Sequence, residues 1–274
     1  KSTGFVTTTR VTHATPAAFY AHAANRYWES DDKVPKEARS LCKDIARQLI
    51  EDEPGRNLNV IMGGGSRHFE PRSADNPAGK RSDGRNLTAA WLEDKRRRGL
   101  HGSVVANRRQ LMQLNSSKVD YLLGLFSSNH LAHEADRDKS DYGEPSLAEM
   151  TLAAVQVLKH NPNGFLLVVE SGRIDHAHHQ NNAYRALTDT LALEAAVEQV
   201  LAAVNRSTPL LLVTADHSHV LTLGGSFPGR GNPILGLDAS LSDVDGLPYT
   251  TLLYANGPGY VTPANRSATN YSGT

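Results

Sequence analysis

The sequence has little of three features that each mark a class of protein. It holds one cysteine, Cys42, so it cannot form an internal disulfide. No apolar run approaches the roughly 18 residues of a membrane-spanning helix, and no signal peptide opens the chain. Lys and Arg number 29, as do Asp and Glu, so the chain lacks the excess positive charge of a general nucleic-acid binder. The composition therefore argues against a disulfide-stapled scaffold, a membrane span and a protein with nucleic acid as its specific partner.

What remains is an ordinary globular composition. The 274 residues could bury a substantial core, and the 39% of apolar residues reaches the globular range once 22 glycines are added. Sequons of the form Asn-x-Ser/Thr favour secretion. They stand at Asn86, Asn115, Asn205, Asn265 and Asn270. The first residue, Lys1, precedes a strand-like segment, so the chain is expected to begin within a fold.

One stretch joins an apolar run to a cluster of possible metal ligands. Five apolar residues, 165–169, predict a strand buried on both faces, and the run ends in the carboxylate of Glu170. After a Ser-Gly turn, a helix would place Asp175 on one face with either His179 or His178. An oxygen beside a nitrogen suits zinc. The alternative is a solvated, histidine-rich start of a helix.

A second stretch repeats this construction. Residues 209–215 predict another apolar strand, and residues 216–219 follow it with the sequence Asp-His-Ser-His. Gathering the carboxylates of both stretches in one cleft would cost about 4 kcal/mol per pair at about 4 Å and an effective dielectric constant of about 20, unless cations neutralise them. The two strand ends together therefore predict a hydrolytic site that holds several metal ions.

The N-terminal segment could supply an anion-binding group. Residues 4–11 are rich in β-branched side chains and predict a strand. Thr15 before Pro16 predicts an N-cap and a helix that runs from Pro16 to about Arg26. Taken alone, Thr15 is then a cap and Arg26 a partner of the helix dipole. Beside a metal site, the guanidinium of Arg26 could instead bind two oxygens of an anion.

The rest of the chain alternates strands and helices. Strands are predicted at residues 57–62 and 121–126, and helices at residues 35–50, 88–98, 146–160 and 183–204. This order predicts an α/β fold with a mostly parallel central sheet, flanked by helices and incomplete within this sequence. Residues 1–224 would form the central part of that domain. Residues 225–274, punctuated by Gly and Pro, would begin an irregular insertion.

Four polar segments carry plainer predictions. The glycines at 63–65 predict a tight exit from a strand, because the Lys-Ser/Thr ending of a phosphate-binding loop is absent. Residues 70–85 predict a surface loop. Residues 127–142 predict a solvated loop, with calcium binding as the alternative. The basic run at 95–98 predicts a solvated end of a helix.

Three long motifs resemble those of animal-type alkaline phosphatase. They are VTTTRVTHATP at residues 6–16, VESGRIDHAHH at 169–179 and VTADHSH at 213–219. The likeness runs along nearly the whole chain. It implies a homodimeric phosphatase, anchored at the extracellular face of a membrane, that hydrolyses small phosphate monoesters through a phosphoserine with two zinc ions and one magnesium ion. The segment from 225 onward would begin a crown-like insertion.

The resemblance also implies roles for single residues. It assigns Asp175 and His179 to the first zinc, Asp216 and His217 to the second, and Thr15 and Glu170 to magnesium. It assigns the clamp on the substrate phosphate to Arg26. It assigns outer positions around the metals and phosphate to His13, His176 and His219.

Two elements of the family are missing from the sequence. The Asp-Ser-Ala stretch that holds the nucleophile does not occur, and no histidine follows His219 to complete the first zinc. The chain therefore resembles the middle half of an alkaline phosphatase and is predicted to be inactive alone. By the same resemblance, Cys42 would pair with a cysteine in the missing N-terminal part. Calcium has little support, because Ser127 stands where an acidic residue would be expected, although Glu144 could contribute.

Two other functions compete with this interpretation. A phosphodiesterase or sulfatase of the same superfamily would share the Asp-His strand ends, although the Thr15 motif and Arg26 favour the monoesterase. A secreted metal-binding module without catalysis is the alternative from a different class. The nucleophilic serine and the last histidine, present or absent in the parent sequence, would separate an enzyme from such a module.

Overall fold

The structure, a computed structural model, describes residues 1–205, 209–224 and 234–257. These residues fall into two compact units. The first unit consists of Lys1–Gly172 with Asp189–Pro209, and the second of Arg173–Thr188 with the described residues from Leu210 onward. The domain boundary predicted after residue 224 adjoins residues outside the described ranges and stays a prediction.

A parallel five-stranded sheet forms the centre of the first unit. Its strands are β1 (Ser2–Arg10), β2 (Val60–Gly64), β3 (Gly102–Val105), β4 (Tyr121–Leu125) and β5 (Phe165–Glu170). Their spatial order is β3-β4-β2-β1-β5, and every neighbouring pair is parallel. The sheet, with helices packed against it, confirms the predicted α/β fold with a mostly parallel sheet.

Seven helices accompany the strands in the described residues. They are α1 (Ala14–Ala18), α2 (Ile45–Glu51), α3 (Leu87–Arg97), α4 (Arg108–Met112), α5 (Leu147–Leu158), α6 (Arg173–His179) and α7 (Ala183–Ala203). The second unit also contains two small antiparallel ribbons. One pairs β6 (Leu221–Leu223) with β9 (Leu252–Tyr254), and the other pairs β7 (Leu237–Leu241) with β8 (Pro248–Thr250). No helix in the described ranges has the length and apolar character needed to cross a bilayer.

Side-chain caps fix where several helices begin. The Asp44 carboxylate accepts a hydrogen bond from the Arg47 amide at the start of α2. Ser146 and Glu149 form a reciprocal capping box at the start of α5. Each cap satisfies backbone N–H groups that the first turn of a helix leaves without partners. The predicted start of α5 at Ser146 is thereby accounted for.

The core lies on both faces of the sheet. Phe5 packs with Ile61 and Leu123 in one buried cluster, while its neighbour Val6 belongs to a second cluster with Met62. Adjacent residues of a strand point to opposite faces. A strand buried on both sides must be apolar at nearly every position, which explains the continuous runs in the sequence.

The helix predicted from Pro16 to about Arg26 is much shorter in the structure. The helix α1 covers only Ala14–Ala18, and its N-cap is His13, so Thr15 lies inside the first turn and does not cap it. The buried hydroxyl of Tyr20 donates to the Val11 carbonyl at 2.7 Å. This tertiary hydrogen bond holds the chain after α1 against the residue that follows β1, and local helix propensity could not indicate it.

Two other predicted elements also differ. The helix predicted at 35–50 forms only as the one-turn segment Lys36–Ala38 and as α2. The strand predicted at 209–215 has no regular structure, and Leu210 and Leu212 are about four-fifths exposed at 83% and 78%. An apolar run becomes a strand only when a neighbour accepts its backbone hydrogen bonds. The short elements β3 and α4 were not predicted, because four or five residues carry too little periodicity.

Three segments predicted to be solvated contain buried charged or polar residues. The loop at 70–85 buries Arg81, the loop at 127–142 buries His130 and His133, and the basic run at 95–98 buries Lys95. The ammonium group of Lys95 donates to the Arg56 carbonyl at 2.6 Å and lies 4.5 Å from the Tyr121 ring centroid. Each group is buried because a specific partner compensates for the lost water, and that partner is distant in sequence.

Arg81 anchors the long polar loop to the body of the first unit. Its guanidinium donates two hydrogen bonds of 3.1 Å to the Asp44 carboxylate, and it also binds Asp83 and the His68 carbonyl. Burial alone would lower the pKa of Arg81, but the hydrogen bonds to Asp83 and Asp44 raise it above its ordinary value. The same carboxylate caps α2, so one buried ion pair connects the loop to the helix.

Replacing Arg81 by Ala should strongly destabilise the protein. The change leaves the Asp44 carboxylate, 2% exposed, without its charged partner, and breaking a buried pair in this way costs about 3–5 kcal/mol. Urea unfolding followed by circular dichroism measures the loss. Arg96→Ala is the matched control, because Arg96 pairs with Glu93 on the exposed face of α3. Equal unfolding midpoints for the two variants would contradict the anchoring role.

Candidate metal centre

Glu170 stands at the end of β5, where the β1–β5 pairing places it opposite Thr7. The Thr7 hydroxyl donates to Glu170 Oε2, and the Thr9 hydroxyl lies 3.3 Å from the same oxygen. Both threonines are 1% exposed. The carboxylate is therefore held by two buried hydroxyl groups at the carboxyl end of the sheet, the edge where α/β proteins place their sites.

In the second unit, helix α6 places its two adjacent histidines beside different neighbours. His179 Nε2 lies 3.5 Å from Asp175 Oδ1, one turn earlier on the same face. His178 instead directs Nδ1 to the Tyr254 hydroxyl at 2.9 Å. Their sequence spacing, three and four residues after Asp175, is compatible with either histidine as its partner. The structure brings His179 to that carboxylate and gives His178 a different neighbour.

The segment at 216–219 meets α6 within the second unit. His219 Nε2 lies 2.6 Å from Asp175 Oδ1. His217 Nε2 lies 3.7 Å from the same oxygen and 3.6 Å from Asp216 Oδ2. The two Asp-His motifs, about 40 residues apart in sequence, are therefore neighbours in space, with both carboxylates within 4 Å of one imidazole nitrogen. The ribbon of β6 and β9 supports this segment, because the Ala255 amide donates to the Val220 carbonyl at 3.0 Å.

Three residues of this group could bind one metal ion together. One ligand atom from each of Asp175, His179 and His219 can be chosen so that all three lie within 4.8 Å of one another. One carboxylate oxygen and two imidazole nitrogens match the ligands that zinc takes in catalytic sites. The donor set thus fits a metal ion, and His219 lies closer to Asp175 than its motif alone indicated.

The electrostatics of the group favour an ionised carboxylate. Burial would raise the pKa of Asp175, but the hydrogen bond from His219 and the nearby His179 lower it overall. The pKa of His217 is raised by its ring contact with the Ser218 carbonyl and by the charge of Asp216. An ionised Asp175 is the form that binds a cation. The raised pKa of His217 means that protons compete with a metal ion for its imidazole ring up to a higher pH.

The remaining predicted site residues lie in three places. Thr15 is half-buried in α1. Arg26 is exposed in a turn, with Nη2 3.4 Å from His13 Nε2. His176 is buried in α6 and lies 2.7 Å through Nδ1 from Arg173 Nη1. Thr15, Arg26, His13 and Glu170 belong to the first unit, and the other predicted site residues belong to the second.

Sequence reasoning missed one histidine of the first unit, which lies beside His13. The His130 ring makes an edge contact with the His13 ring at 4.9 Å between centroids, and its Nδ1 accepts from the Arg10 amide at 3.1 Å. His130 lies in the segment that was predicted to be solvated. Its contacts are more than 100 residues away in sequence, so no local pattern could have indicated them.

Comparison with known proteins finds a family model and relatives that match the chain. The family model described as alkaline phosphatase matches residues 1–272. The chain is 47% identical over 95% of its length to the tissue-nonspecific alkaline phosphatase of Gallus gallus, and 45% identical over 94% to the membrane-bound alkaline phosphatase of Bombyx mori. It covers 51% and 47% of those relatives, so it spans about half their length.

A solved structure supports the same grouping. The chain resembles the crystal structure of Thermus thermophilus alkaline phosphatase with a TM-score of 0.58 and 38% sequence identity. That match covers 75% of this chain and 37% of the other. The similarity therefore extends to the three-dimensional fold, again over part of a longer protein.

The two adjacent histidines of α6 should differ sharply in metal binding. His179→Ala should weaken the binding of zinc or cobalt by at least about tenfold, because it removes a nitrogen beside Asp175. His178→Ala is the matched control and should change affinity much less, since this ring faces Tyr254. Calorimetry with zinc and the visible spectrum of bound cobalt provide the readouts. An equal loss in the two variants would refute the assignment of His179.

Proposed function

The chain belongs to the alkaline phosphatase family, and from this premise we propose that it forms the central part of an enzyme that hydrolyses phosphate monoesters. The observation that carries the proposal is the meeting of two Asp-His motifs around Asp175 in the second unit. Carboxylates and imidazoles that converge in this way suit metal-assisted displacement at phosphorus better than structural packing.

We assign the metal ligands according to the matched motifs and the contacts. Asp175 and His179 would hold a first zinc ion, and Asp216 and His217 would hold a second. His219 orients the Asp175 carboxylate through its 2.6 Å contact, a role that outer residues often play at metal sites. When bound, a pair of zinc ions supplies Lewis acidity that activates a hydroxyl nucleophile and stabilises the leaving oxygen.

Thr15 and Glu170 are the proposed magnesium ligands. Both offer oxygen, which is the ligand that magnesium prefers. The two threonine hydroxyls hold Oε2 of Glu170 and so restrict the directions in which its carboxylate can turn. The proposed set for the whole enzyme is two zinc ions and one magnesium ion. Calcium has little support, because Ser127 follows Phe126 where the resemblance would place an acidic residue.

Arg26 is the proposed clamp for the substrate phosphate. A guanidinium can donate two parallel hydrogen bonds to phosphate oxygens, and the exposure of Arg26 leaves it accessible to a ligand. His13 lies beside it and, with His176, is assigned to the surroundings of the metal and phosphate. The nucleophilic serine and the last zinc ligand are proposed to lie in a longer polypeptide, consistent with the half-length coverage of the relatives.

The cellular setting is part of the same proposal. A relative named membrane-bound alkaline phosphatase supports a parent enzyme at a membrane. That this enzyme is extracellular, anchored and homodimeric is proposed from the family resemblance, and that it bears glycans is proposed from the sequons. Asn86 and Asn115 are exposed in the structure. Asn115 accepts hydrogen bonds through Oδ1 from the Ser117 amide and hydroxyl, which leaves its Nδ2 as the atom available for a glycan. Asn265 and Asn270 lie outside the described residues.

Activity measurements test the proposal directly. A parent protein that contains this chain should hydrolyse p-nitrophenyl phosphate, lose activity with a chelator and regain it with zinc and magnesium. Arg26→Ala should raise the inhibition constant for inorganic phosphate at least about tenfold, because a charged two-pronged contact is lost. A parent protein that is fully loaded with metal but hydrolyses no monoester would exclude the function.

The 274-residue chain alone provides a second test. It is expected to show no turnover of p-nitrophenyl phosphate, since it contains no match to the family's Asp-Ser-Ala nucleophile stretch. The parent protein is the positive control for the assay. Turnover by the pure chain, above that of an Asp175→Asn variant, would show that the nucleophile lies within it.

A further inference from the structure

Two hydrogen bonds to Asn25 help to close the turn that carries Arg26. The Trp28 amide donates to the Asn25 carbonyl at 3.1 Å, and the Tyr27 amide donates to Asn25 Oδ1 at 2.9 Å. Arg26 itself is exposed at the tip. A clamp is effective only when it is held near its binding geometry beforehand, because ordering a loose arginine would oppose binding. Contacts that attach the turn to the sheet would therefore favour phosphate binding.

Glu29, three residues after Arg26, enters the interior directly after the turn and is 5% exposed. Arg10 donates to both carboxylate oxygens, through Nε to Oε2 at 2.7 Å and through Nη2 to Oε1 at 2.8 Å. The Thr12 hydroxyl adds a third hydrogen bond to Oε2 at 2.6 Å. Arg10 is 7% exposed, so the pair is a buried, two-pronged ion pair and not a screened surface contact.

Arg10 also holds the residue that Arg26 touches. The Arg10 carbonyl accepts from the His13 amide at 3.0 Å, and Arg10 Nη1 donates to Asn129 Oδ1 at 2.9 Å. His13 Nε2 lies 3.4 Å from Arg26 Nη2. Arg10, at the end of β1, thus holds the turn through the Glu29 carboxylate and holds His13 through its own backbone carbonyl. Both partners of the Arg26–His13 contact are connected to the same rigid strand.

The backbone around Glu29 is held as well. The Ile45 amide donates to the Trp28 carbonyl at 2.8 Å, and the Ala46 amide donates to the Glu29 carbonyl at 3.2 Å. These bonds join the end of the turn to the first residues of α2 but leave Arg26 untouched. The contribution specific to the Glu29 side chain is therefore its attachment to β1, the strand next to β5 and its Glu170.

We propose that Glu29 is a positioning residue for phosphate binding, which fixes the Arg26 turn to β1 through its buried ion pair with Arg10. The inference rests on the phosphate-binding role proposed for Arg26. It assigns to Glu29 an effect on affinity for phosphate that acts only through Arg26. If Glu29 merely stabilised the fold, replacing it would lower the unfolding temperature, and its effect on phosphate affinity would not depend on the presence of Arg26.

A double-mutant cycle in the parent protein tests the proposal. Glu29→Ala, Arg26→Ala and the double variant are compared with the unaltered protein for binding of inorganic phosphate by calorimetry. Glu29→Ala should weaken binding about tenfold, because a displacement of the order of 1 Å is enough to impair a positioned group. In the Arg26→Ala background, Glu29→Ala should cause no further loss. Glu93→Ala, which breaks the exposed pair with Arg96, is the control and should leave binding unchanged.

The outcomes separate this inference from the proposed function. If Arg26→Ala leaves phosphate binding unchanged, the role of Arg26 itself fails. If Arg26→Ala weakens binding while folded Glu29→Ala does not, or if the two losses simply add, the positioning role of Glu29 is overturned. Should Glu29→Ala fail to fold, Glu29→Gln and Thr12→Val decide the question, because both keep the side-chain shape while weakening the attachment. Unchanged phosphate affinity in both of these variants, checked for native thermal unfolding, also overturns it.

Discussion

The parallel sheet imposes the constraint on which the rest of the first unit depends. Parallel strands all end at the same edge, so each chain segment that leaves the sheet starts its loop beside its neighbours. The strand β1 lies between β2 and β5, and its carboxyl end carries Thr7, Thr9 and Arg10. Two of these residues hold Glu170, and the third pairs with Glu29. These hydrogen bonds and this ion pair keep their geometry because two buried apolar clusters fix the strand from both faces.

Buried charge is the second organising principle. Arg81 binds Asp44, and Arg10 binds Glu29, with each pair almost fully removed from water. Such pairs are costly to form and more costly to break, so they are effective where a particular arrangement of loops must be maintained. In both cases the pair joins an irregular segment to a regular element. These two irregular segments are therefore held by buried charges, whereas the strands of the sheet are held by apolar packing.

In the second unit, imidazole groups gather around one carboxylate. Asp175 is surrounded by His179, His217 and His219, each with Nε2 within 4 Å of its Oδ1. Imidazole nitrogens and an ionised carboxylate are groups that bind metal ions, and the lowered pKa of Asp175 favours its charged form. The helix α6 supplies two of these residues at a spacing of four. A short ribbon holds the segment that supplies the others.

The sequence by itself determined the parallel α/β fold, the main strands and the two ligand-rich motifs, because apolar periodicity and the residues that end it are local properties. It could not determine that the run at 209–215 would remain unpaired, that α1 would end at Ala18, or that Lys95 and Arg81 would be buried. The burial of Lys95 and Arg81 depends on partners 39 and 37 residues away in sequence, and the end of α1 is followed by a bond from Tyr20 to Val11, nine residues earlier. The choice of His179 over His178 beside Asp175 was likewise decided by the tertiary structure, because both spacings fit a helix and only the position of Tyr254 draws His178 aside.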